Sequence, residues 1–288
     1  MRWGEKRYHS LDYELKQMFK EKVYKIALNG GMTCPNRDGH VGTGGCIFCS
    51  SQGSGDFAGS ARLSIAEQIK QGKADISSKR PVHSYIAYFQ AFTNTYAPVE
   101  TLRALYMEAI ADPEVKILSI ATRPDCLGAD VLALLDEINH IKPVWVELGL
   151  QTIHPETSAY IRRGYELSVF EQAVKELRAI GITVIVHTIL YLPDTIHYLN
   201  HMDIQGIKLQ LLHVLTHTDL AADYEKHPFY IPDMQDYIQF LGTCIAQLNP
   251  EIVIHRLTGD GPKDLLIAPL WTSNKRTVLN QLHSHLKE

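Results

Sequence analysis

Short apolar runs rich in β-branched and aromatic residues alternate along this chain with stretches of helical periodicity. Such runs are typical of strands buried on both faces of a parallel sheet. The predicted strands cover residues 23–28, 85–89, 117–121, 144–150, 182–189, 207–212 and 252–254. A strand followed by a helix, repeated about six times, requires parallel strands joined by right-handed crossovers. The sequence therefore predicts an α/β fold, and we prefer a full or partial barrel to an open doubly wound sheet.

The clearest predicted helix follows Ser168. Ser168 and Glu171 have the spacing of a capping box at its start, and Gly181 stands where such a helix ends. The apolar residues that share one face of this helix are Phe170, Ala173, Val174, Leu177 and Ile180. A face of this kind is suited to packing on a sheet.

Composition and charge set the class of the chain. Its 288 residues, 45% hydrophobic and 21% charged, are typical of a globular protein with a sizeable core. The net charge of −4 argues against a chain-wide electrostatic contact with nucleic acid, but leaves a local basic face open. Neither a signal peptide nor a membrane-spanning run is evident, so we expect a cytoplasmic protein with no membrane partner.

No linker divides the chain. We predict a core barrel over residues 22–215, which includes a long loop at 29–60. An N-terminal extension covers 1–21, and a C-terminal extension covers 216–288 and packs on the barrel. Two separate domains are the alternative.

The loop at 29–60 is crowded with Gly, Ser, Asn and Asp and contains Cys34, Cys46 and Cys49. Long loops without secondary structure are usually functional, and grouped cysteines in a reducing compartment indicate metal or redox chemistry. Structural zinc sites take four protein ligands, as do iron-sulfur clusters without a free iron. Three thiolates therefore predict a metal centre with one open coordination position.

Two kinds of centre fit this loop. An open iron could be chelated by the amino and carboxylate groups of S-adenosylmethionine, which is what reductive cleavage of that molecule requires. A zinc site completed by His40 or by the distant Cys126 is the alternative, and the spacing Cys-x11-Cys-x2-Cys does not separate the two. Cys126 and Cys244 are otherwise expected to be small buried apolar residues.

Longer motifs elsewhere in the chain favour the iron-sulfur centre through a family resemblance. The chain resembles the radical S-adenosylmethionine (radical SAM) superfamily over nearly its whole length, and specifically its YtqA/YhcC-like branch, which is related to the elongator catalytic subunit and to oxygen-independent coproporphyrinogen oxidase. The resemblance rests on Cys34-Pro-Asn-Arg-Asp-Gly39, Gly45-Cys-Ile-Phe-Cys-Ser50, Gly53-Ser-Gly-Asp-Phe57, Tyr85–Tyr96, Ala121-Thr-Arg-Pro-Asp-Cys126, Glu147-Leu-Gly-Leu-Gln-Thr152 and His255–Asp264. It implies a partial (β/α)6 TIM-like barrel with a 4Fe-4S cluster on Cys34, Cys46 and Cys49, although the Cys-x11-Cys spacing is longer than the usual Cys-x3-Cys.

The resemblance also implies contacts with S-adenosylmethionine. These are Phe48 and Leu190 at the adenine, Gln90 at the methionine amino group, Thr122 and Arg123 near the ribose, and Gln151 and Arg163 at the ribose and carboxylate. Core amides and a solvated helix-end charge are the alternatives for the two glutamines and for Arg163. The loop and helix that begin near Leu192 are shorter than in the family by several residues.

The function implied by the resemblance is hydrogen abstraction by a 5′-deoxyadenosyl radical. Its substrate would be a tRNA wobble uridine, whose carboxymethylaminomethyl group is converted to aminomethyl, and its electron donor a flavodoxin or ferredoxin. Lys16, Lys20 and Lys22 belong to a basic N-terminal segment that either contacts RNA or forms a solvated helix face. The alternatives are a radical enzyme acting on a small molecule or protein, and a zinc-stabilised RNA-binding module. His187, His213 and His255, near strand ends, are candidates for proton transfer or substrate binding.

Overall fold

The computed structural model describes residues 3–53, 55–78, 82–189, 193–259 and 261–286. Its strands are β1 (Tyr24–Leu28), β2 (Tyr85–Phe89), β3 (Val115–Thr122), β4 (Val144–Gln151), β5 (Thr183–Ile189), β6 (Gly206–Gln210), β7 (Val214–Leu215), β8 (Val253–Arg256) and β9 (Leu266–Ala268). Seven of these form one parallel sheet in the order β1-β2-β3-β4-β5-β6-β8. Every predicted strand is confirmed within two residues at each end.

The sheet curls into a half-barrel, which confirms the predicted partial TIM-like fold. Strands β1 to β6 follow one another in chain order, as in a barrel and unlike a doubly wound sheet, whose strand order reverses at one point. The seventh strand, β8, comes from the segment that we assigned to the C-terminal extension, and β7 and β9 form a separate antiparallel pair. The C-terminal segment therefore contributes to the barrel wall as well as covering it.

The helices pack outside the sheet or close its ends. They are α1 (Leu11–Phe19), α2 (Ile65–Ser77), α3 (Val99–Ile110), α4 (Ala129–Asn139), α5 (Pro155–Tyr160), α6 (Leu167–Ala179), α7 (Pro193–Leu199), α8 (Asp219–Lys226), α9 (Met234–Gln247) and α10 (Lys275–His285). Among the described residues, none of them is both long and apolar enough to cross a membrane. The main core lies between the sheet and these helices, where Leu102, Tyr106, Leu135, Phe170 and Leu177 are completely buried.

The predicted capping box at the start of α6 is wrong. The helix begins at Leu167, and its N-cap residue Glu166 makes no capping hydrogen bond with its side chain. Glu171 instead accepts a hydrogen bond from the Tyr198 hydroxyl at 2.8 Å, so its carboxylate is turned toward the neighbouring helix α7. A capping box is present instead at Ser64 and Glu67, at the start of α2. The predicted end of α6 is confirmed by Gly181, which has a φ of +74°.

The interior of the half-barrel is filled in layers. At the amino ends of the strands, Val23, Ile86, Ile117, Trp145 and Ile185 form an apolar layer. Helix α1 closes this end with the side chains of Leu11, Leu15 and Phe19. Because the amino end is plugged by apolar side chains, polar and cofactor-binding groups have access to the interior from the carboxyl end, as in other barrels of this type.

We expect two substitutions in α6 to have very different effects. Phe170→Ala removes a completely buried ring and should lower the free energy of unfolding by about 3–5 kcal/mol. Ser168→Ala should change it by no more than about 0.5 kcal/mol, because Ser168 is exposed and does not cap the helix. Urea denaturation of both variants measures these changes. If Ser168→Ala lowered the free energy of unfolding by about 1 kcal/mol or more, Ser168 would be a capping residue after all.

Candidate active site at the carboxyl end of the barrel

A cavity of about 460 Å³ opens at the carboxyl ends of the parallel strands. Among the residues lining it are the predicted cluster ligands and the predicted cofactor contacts, namely Cys34, Cys46, Cys49, Phe48, Gln90, Thr122, Arg123, Gln151 and Arg163. These residues come from positions as far apart in sequence as 34 and 163, and the fold brings them to one place. The predicted adenine contact Leu190 lies outside the described residues.

The cysteine loop is held in a set of tight turns by hydrogen bonds. The backbone N–H groups of Arg37 and Asp38 donate to the carbonyl of Cys34 at 2.8 and 3.2 Å. The Arg37 guanidinium reaches the other end of the loop and donates to the carbonyls of Ser50 and Cys49 at 2.6 and 3.2 Å. Gly45 has a φ of +85°, and a Cβ there would lie 2.8 Å from the Arg37 side chain. A residue without a side chain is therefore required directly before Cys46.

Asn36 connects this loop to the far wall of the cavity. Its buried amide donates to the carbonyl of Arg162 at 2.6 Å and to the sulfur of Cys46 at 3.6 Å. The Cys46 thiol also lies 3.7 Å from the Arg162 carbonyl. The hydrogen bond from the Asn36 amide orients the sulfur and stabilises its thiolate form, whereas the contact with the Arg162 carbonyl is one in which the protonated thiol donates.

The three cysteines share one electrostatic environment. All three are partly buried. Burial raises the pKa of Cys46 to about 11, with further contributions in the same direction from Cys49 and Cys34. Thiols held near one another in this way lose their protons when a cationic metal centre binds, so metal binding at this loop should release protons.

The donor set fits an iron-sulfur cluster. Thiolates are the ligands that both zinc and iron-sulfur clusters prefer. Among the described residues, no three His, Cys, Asp or Glu side chains are gathered as ligands for a single metal ion. In a 4Fe-4S cluster each thiolate binds a different iron, so the ligands stand apart around the cube. The fourth zinc ligands considered from sequence, His40 and Cys126, are absent from the described lining of the cavity.

A bulge at the end of β4 brings Gln151 into the cavity. The register with β5 shifts between Gly149 and Gln151, and Gln151 has a φ of +63°, in the left-handed region that favours glycine. Leu150 is completely buried in the outer core. Alternation already places Glu147, Gly149 and Gln151 on the cavity side of the strand. The bulge ends the regular pairing with β5 at this point, and the Gln151 amide lies beside Gly149 at the cavity wall.

Arg163 is held inside this wall. Its guanidinium is 3% exposed and donates to the backbone carbonyls of Leu150, Thr152 and Tyr165 at 2.6 to 3.1 Å. These contacts occupy four of its five N–H donors, which leaves one N–H for a ligand. Arg163 is therefore mainly a structural support for the loop after β4, and its predicted carboxylate contact depends on that remaining donor.

Arg123 and Tyr165 complete the same wall. Arg123 pairs with Asp125 at 2.6 Å and donates to the carbonyl of Arg163 at 2.9 Å. The guanidinium groups of Arg123 and Arg163 both lie over the Tyr165 ring, at 4.9 and 4.7 Å from its centre. Stacking of this kind fixes the guanidinium groups and makes the wall rigid.

Thr122 and Gln90 differ in how far their polar groups are engaged. The Thr122 hydroxyl is 2.5 Å from that of Thr95, which in turn donates to the Cys126 carbonyl at 2.6 Å. Gln90 follows β2, where its backbone N–H donates to Leu28 at 3.3 Å. Its partly exposed side chain lines the cavity. Of the two residues, Gln90 is better placed to offer its side chain to a ligand.

The floor of the cavity carries a charged layer that our sequence analysis did not assign. The Glu147 carboxylate on β4 is completely buried and accepts hydrogen bonds from Lys25 and Ser119, both at 2.8 Å, and from His187 at 2.6 Å. Lys208 also pairs with it, and the Lys208 ammonium donates to the Tyr88 hydroxyl at 3.0 Å. The signal for this layer was a charge inside each of two predicted buried strands, Glu147 within 144–150 and Lys208 within 207–212.

Burial and charge set the protonation of this layer. Burial alone would raise the pKa of Glu147, but the charges of Lys208 and Lys25 hold it well below its usual range. Burial, with the nearby charge of Lys208, lowers the pKa of His187 to about 4 despite the opposing effect of Glu147. At neutral pH Glu147 is therefore an anion and His187 a neutral imidazole, whose Nε2–H donates to Glu147.

Two further histidines named from sequence also lie near the cavity. His213 lines it beside Gly259 and Gly261. His255 instead packs edge-to-face on Trp145 of the apolar layer at the amino ends of the strands, with ring centres 5.2 Å apart. Burial lowers the pKa of His255 well below its usual value. Of the three candidates, His187 and His213 face the cavity and His255 lies beneath it.

Comparison with known proteins shows which family this chain belongs to. The family model for the radical SAM superfamily matches residues 36–203, and the model for the Radical_SAM C-terminal domain matches residues 204–288. The chain is 44% identical to YtqA of Bacillus subtilis, over 98% of this chain and 90% of that protein. It is 35% identical to YhcC of Escherichia coli, over 96% of this chain and 91% of that protein.

The fold has a counterpart among solved structures. The chain superposes on Methanocaldococcus infernus Elp3 with a TM-score of 0.61 and 14% identity, over 88% of this chain and 63% of that one. At that identity the likeness concerns the fold alone. The family models and the two bacterial relatives carry the assignment, and they show that this chain belongs to the radical SAM superfamily.

Proposed function

We propose that this chain is a radical SAM enzyme that binds a 4Fe-4S cluster through Cys34, Cys46 and Cys49 and binds S-adenosylmethionine in the same cavity. The observation that carries the proposal is that the three cysteines line one cavity together with six predicted cofactor contacts. The cluster, when bound, supplies the electron that splits S-adenosylmethionine into methionine and the radical that abstracts hydrogen from the substrate. Family membership favours this enzyme over a zinc-stabilised RNA-binding module.

The residues of the chain bind and orient the reactants. Phe48 follows Ile47, whose backbone is fixed by hydrogen bonds to Ile161 and Leu220 at 3.3 and 2.9 Å, so its ring is a steady apolar surface for the adenine. Gln90 and Gln151 offer amides to the methionine and ribose groups. The wall of Arg123, Arg163 and Tyr165 keeps these contacts in place. Rigid supports of this kind preserve the geometry that radical transfer needs.

We further propose that the substrate is a tRNA wobble uridine, whose carboxymethylaminomethyl group is converted to aminomethyl. The family resemblance supports this assignment. Phe57 adds a structural argument, because it lines the cavity with 61% of its surface exposed, and an exposed aromatic ring at a cavity mouth can stack on a nucleobase. A flavodoxin or ferredoxin is the proposed electron donor, and the cytoplasm the proposed location.

The basic N-terminal segment is not part of this proposed RNA contact. Helix α1 packs at the amino ends of the strands, whereas the cavity opens at the carboxyl ends. Lys16 there forms an exposed ion pair with Asp12 at 2.7 Å, and Glu14 and Glu21 are engaged with His9 and Ser84. The segment is best interpreted as a solvated helix face, the alternative considered from its sequence.

We expect Cys46→Ser to abolish cluster binding, because the variant loses one of three thiolates. The matched control Cys126→Ser should retain the cluster, since Cys126 is not among the described residues lining the cavity. After anaerobic reconstitution, iron and sulfide content, visible absorption and electron paramagnetic resonance compare the two variants with the wild type. Loss of the cluster in Cys126→Ser, or its retention in Cys46→Ser, would contradict the ligand assignment.

Deletion of the gene should change tRNA at the wobble position. Carboxymethylaminomethyl-uridine should accumulate and aminomethyl-uridine and its derivatives should disappear, as measured by mass spectrometry of digested tRNA. Expression of the wild-type chain should restore the parental nucleosides, whereas Cys46→Ser should not. Unchanged wobble uridines in the deletion strain would remove the tRNA assignment and leave a small molecule or a protein as the substrate.

A further inference from the structure

The floor of the cavity carries more positive than negative charge. Lys25, Lys208 and Arg256 come from β1, β6 and β8, and Glu147 is the carboxylate at their centre. His187 is neutral and adds no charge. Burial lowers the pKa of Lys208, but even with Lys208 neutral the two cations Lys25 and Arg256 exceed the single charge of Glu147. Surplus charge in a partly buried site is costly unless an anion is bound there.

Arg256 is the cation with the fewest partners in this layer. Its guanidinium lines the cavity, and its hydrogen bond to the Gln210 amide oxygen is long, at 3.4 Å. Within the described part of the chain it forms no ion pair with a carboxylate. Arg256 is the partner of Lys208 in the register of β8 with β6, and it lines the same cavity as Tyr88 and His187, so it lies over the same floor. A guanidinium with open donors on a cavity wall is suited to binding a carboxylate at two points.

Lys25 can contribute from the opposite side of the floor. Its ammonium donates one hydrogen bond to Glu147 and lies 4.6 Å from the centre of the Tyr88 ring. An ammonium has three N–H donors, and this side chain is 23% exposed, so it has donors to spare for a ligand. Lys25 and Arg256 thus flank the floor from the two outer strands of the sheet, β1 and β8.

We propose that Arg256, with Lys25, forms a carboxylate-binding site for the substrate on the floor of the cavity. This inference rests on the proposed function and specifies which part of the substrate is recognised: the carboxylate of the carboxymethylaminomethyl group. The floor lies below Gln90 and Gln151 along their strands, since Tyr88 and Glu147 precede them by two and four residues. A group that reaches the floor therefore passes the proposed cofactor contacts on its way in.

Such a site would also separate substrate from product. The product has lost the whole carboxymethyl group, and with it the carboxylate, and keeps a primary amine, which is protonated near neutral pH. The substrate side chain is a zwitterion, with a protonated secondary amine and a carboxylate that the cations of the floor attract. The product amine has no carboxylate beside it, so the surplus positive charge of the floor repels it. The same two side chains would thus favour substrate entry and product release.

The test uses anticodon stem-loop RNAs that carry either carboxymethylaminomethyl-uridine or aminomethyl-uridine at the wobble position. Binding to the reconstituted enzyme is measured by fluorescence anisotropy with S-adenosylhomocysteine present, so that no turnover occurs. Wild type should prefer the carboxylate-bearing RNA by about tenfold, Arg256→Gln should lose this preference, and Arg256→Lys should retain part of it. The matched control Lys175→Gln removes an exposed charge on α6 and should keep the wild-type ratio.

A second measurement does not depend on RNA or on the variants. N-Methylglycine carries a secondary amine and a carboxylate, and methylamine lacks the carboxylate. N-Methylglycine, but not methylamine, should protect Arg256 of the wild-type enzyme from phenylglyoxal, as read by peptide mass spectrometry. Absence of protection would overturn the carboxylate site, whatever the RNA result.

The outcomes separate this inference from the proposed function. If wild type converts the modified tRNA and Arg256→Gln keeps the binding preference, the function stands and the carboxylate site is wrong. If Arg256 is protected by N-methylglycine but the tRNA is not converted, the site stands and the tRNA assignment is wrong. If Arg256→Gln weakens binding of S-adenosylmethionine and leaves the RNA preference intact, the carboxylate at the floor is that of the cofactor, and the substrate assignment is overturned.

Discussion

The carboxylate of Glu147 joins strands that are far apart in sequence. From β4 it accepts hydrogen bonds from Lys25 on β1, Ser119 on β3, His187 on β5 and Lys208 on β6. Lys208 extends the network to Tyr88 on β2. A buried anion is stable only when its charge is balanced and its lone pairs are satisfied. The strands that contact Glu147 directly, β1, β3, β5 and β6, must therefore be in register with β4. The curvature of the half-barrel and the position of the cavity floor both depend on this arrangement.

The interior of the half-barrel consists of three layers of side chains, and each layer has a different role. The apolar layer at the amino ends, sealed by α1, excludes water from below. The charged layer above it is held by hydrogen bonds between strands rather than by close packing of apolar groups. Above that, loops that follow the strands carry the cysteines, Phe48 and Gln90, and the last residue of β4 is Gln151. Each layer is built from side chains that alternate with those facing the outer helices, which is why one parallel sheet can present a core on one face and a reaction chamber on the other.

The differences between prediction and structure come from particular contacts. Ser168 and Glu171 had the spacing of a capping box, but the helix starts one residue before Ser168, and the Tyr198 hydroxyl takes up the Glu171 carboxylate. Arg163 also has a supporting role that the sequence did not indicate, because backbone carbonyls occupy four of its five N–H donors; its ligand contact stays a prediction for the remaining donor. In the first case a side chain from the neighbouring helix α7 binds the carboxylate that the local pattern assigned to the cap. In the second, the turn of the chain after β4 brings backbone carbonyls to the guanidinium.

The sequence by itself determined where the strands lie and that Cys34, Cys46 and Cys49 share one loop, because hydrophobic periodicity and motif spacing are local properties of the chain. The partial barrel was implied by the family resemblance. It also displayed Glu147 and Lys208 as charges inside apolar runs. Only the tertiary structure decided that these two charges meet, that Lys25 and His187 join them, and that Arg256 stands over the same floor. Those contacts follow from the register of the seven parallel strands, and register is a relation between segments that no single segment encodes.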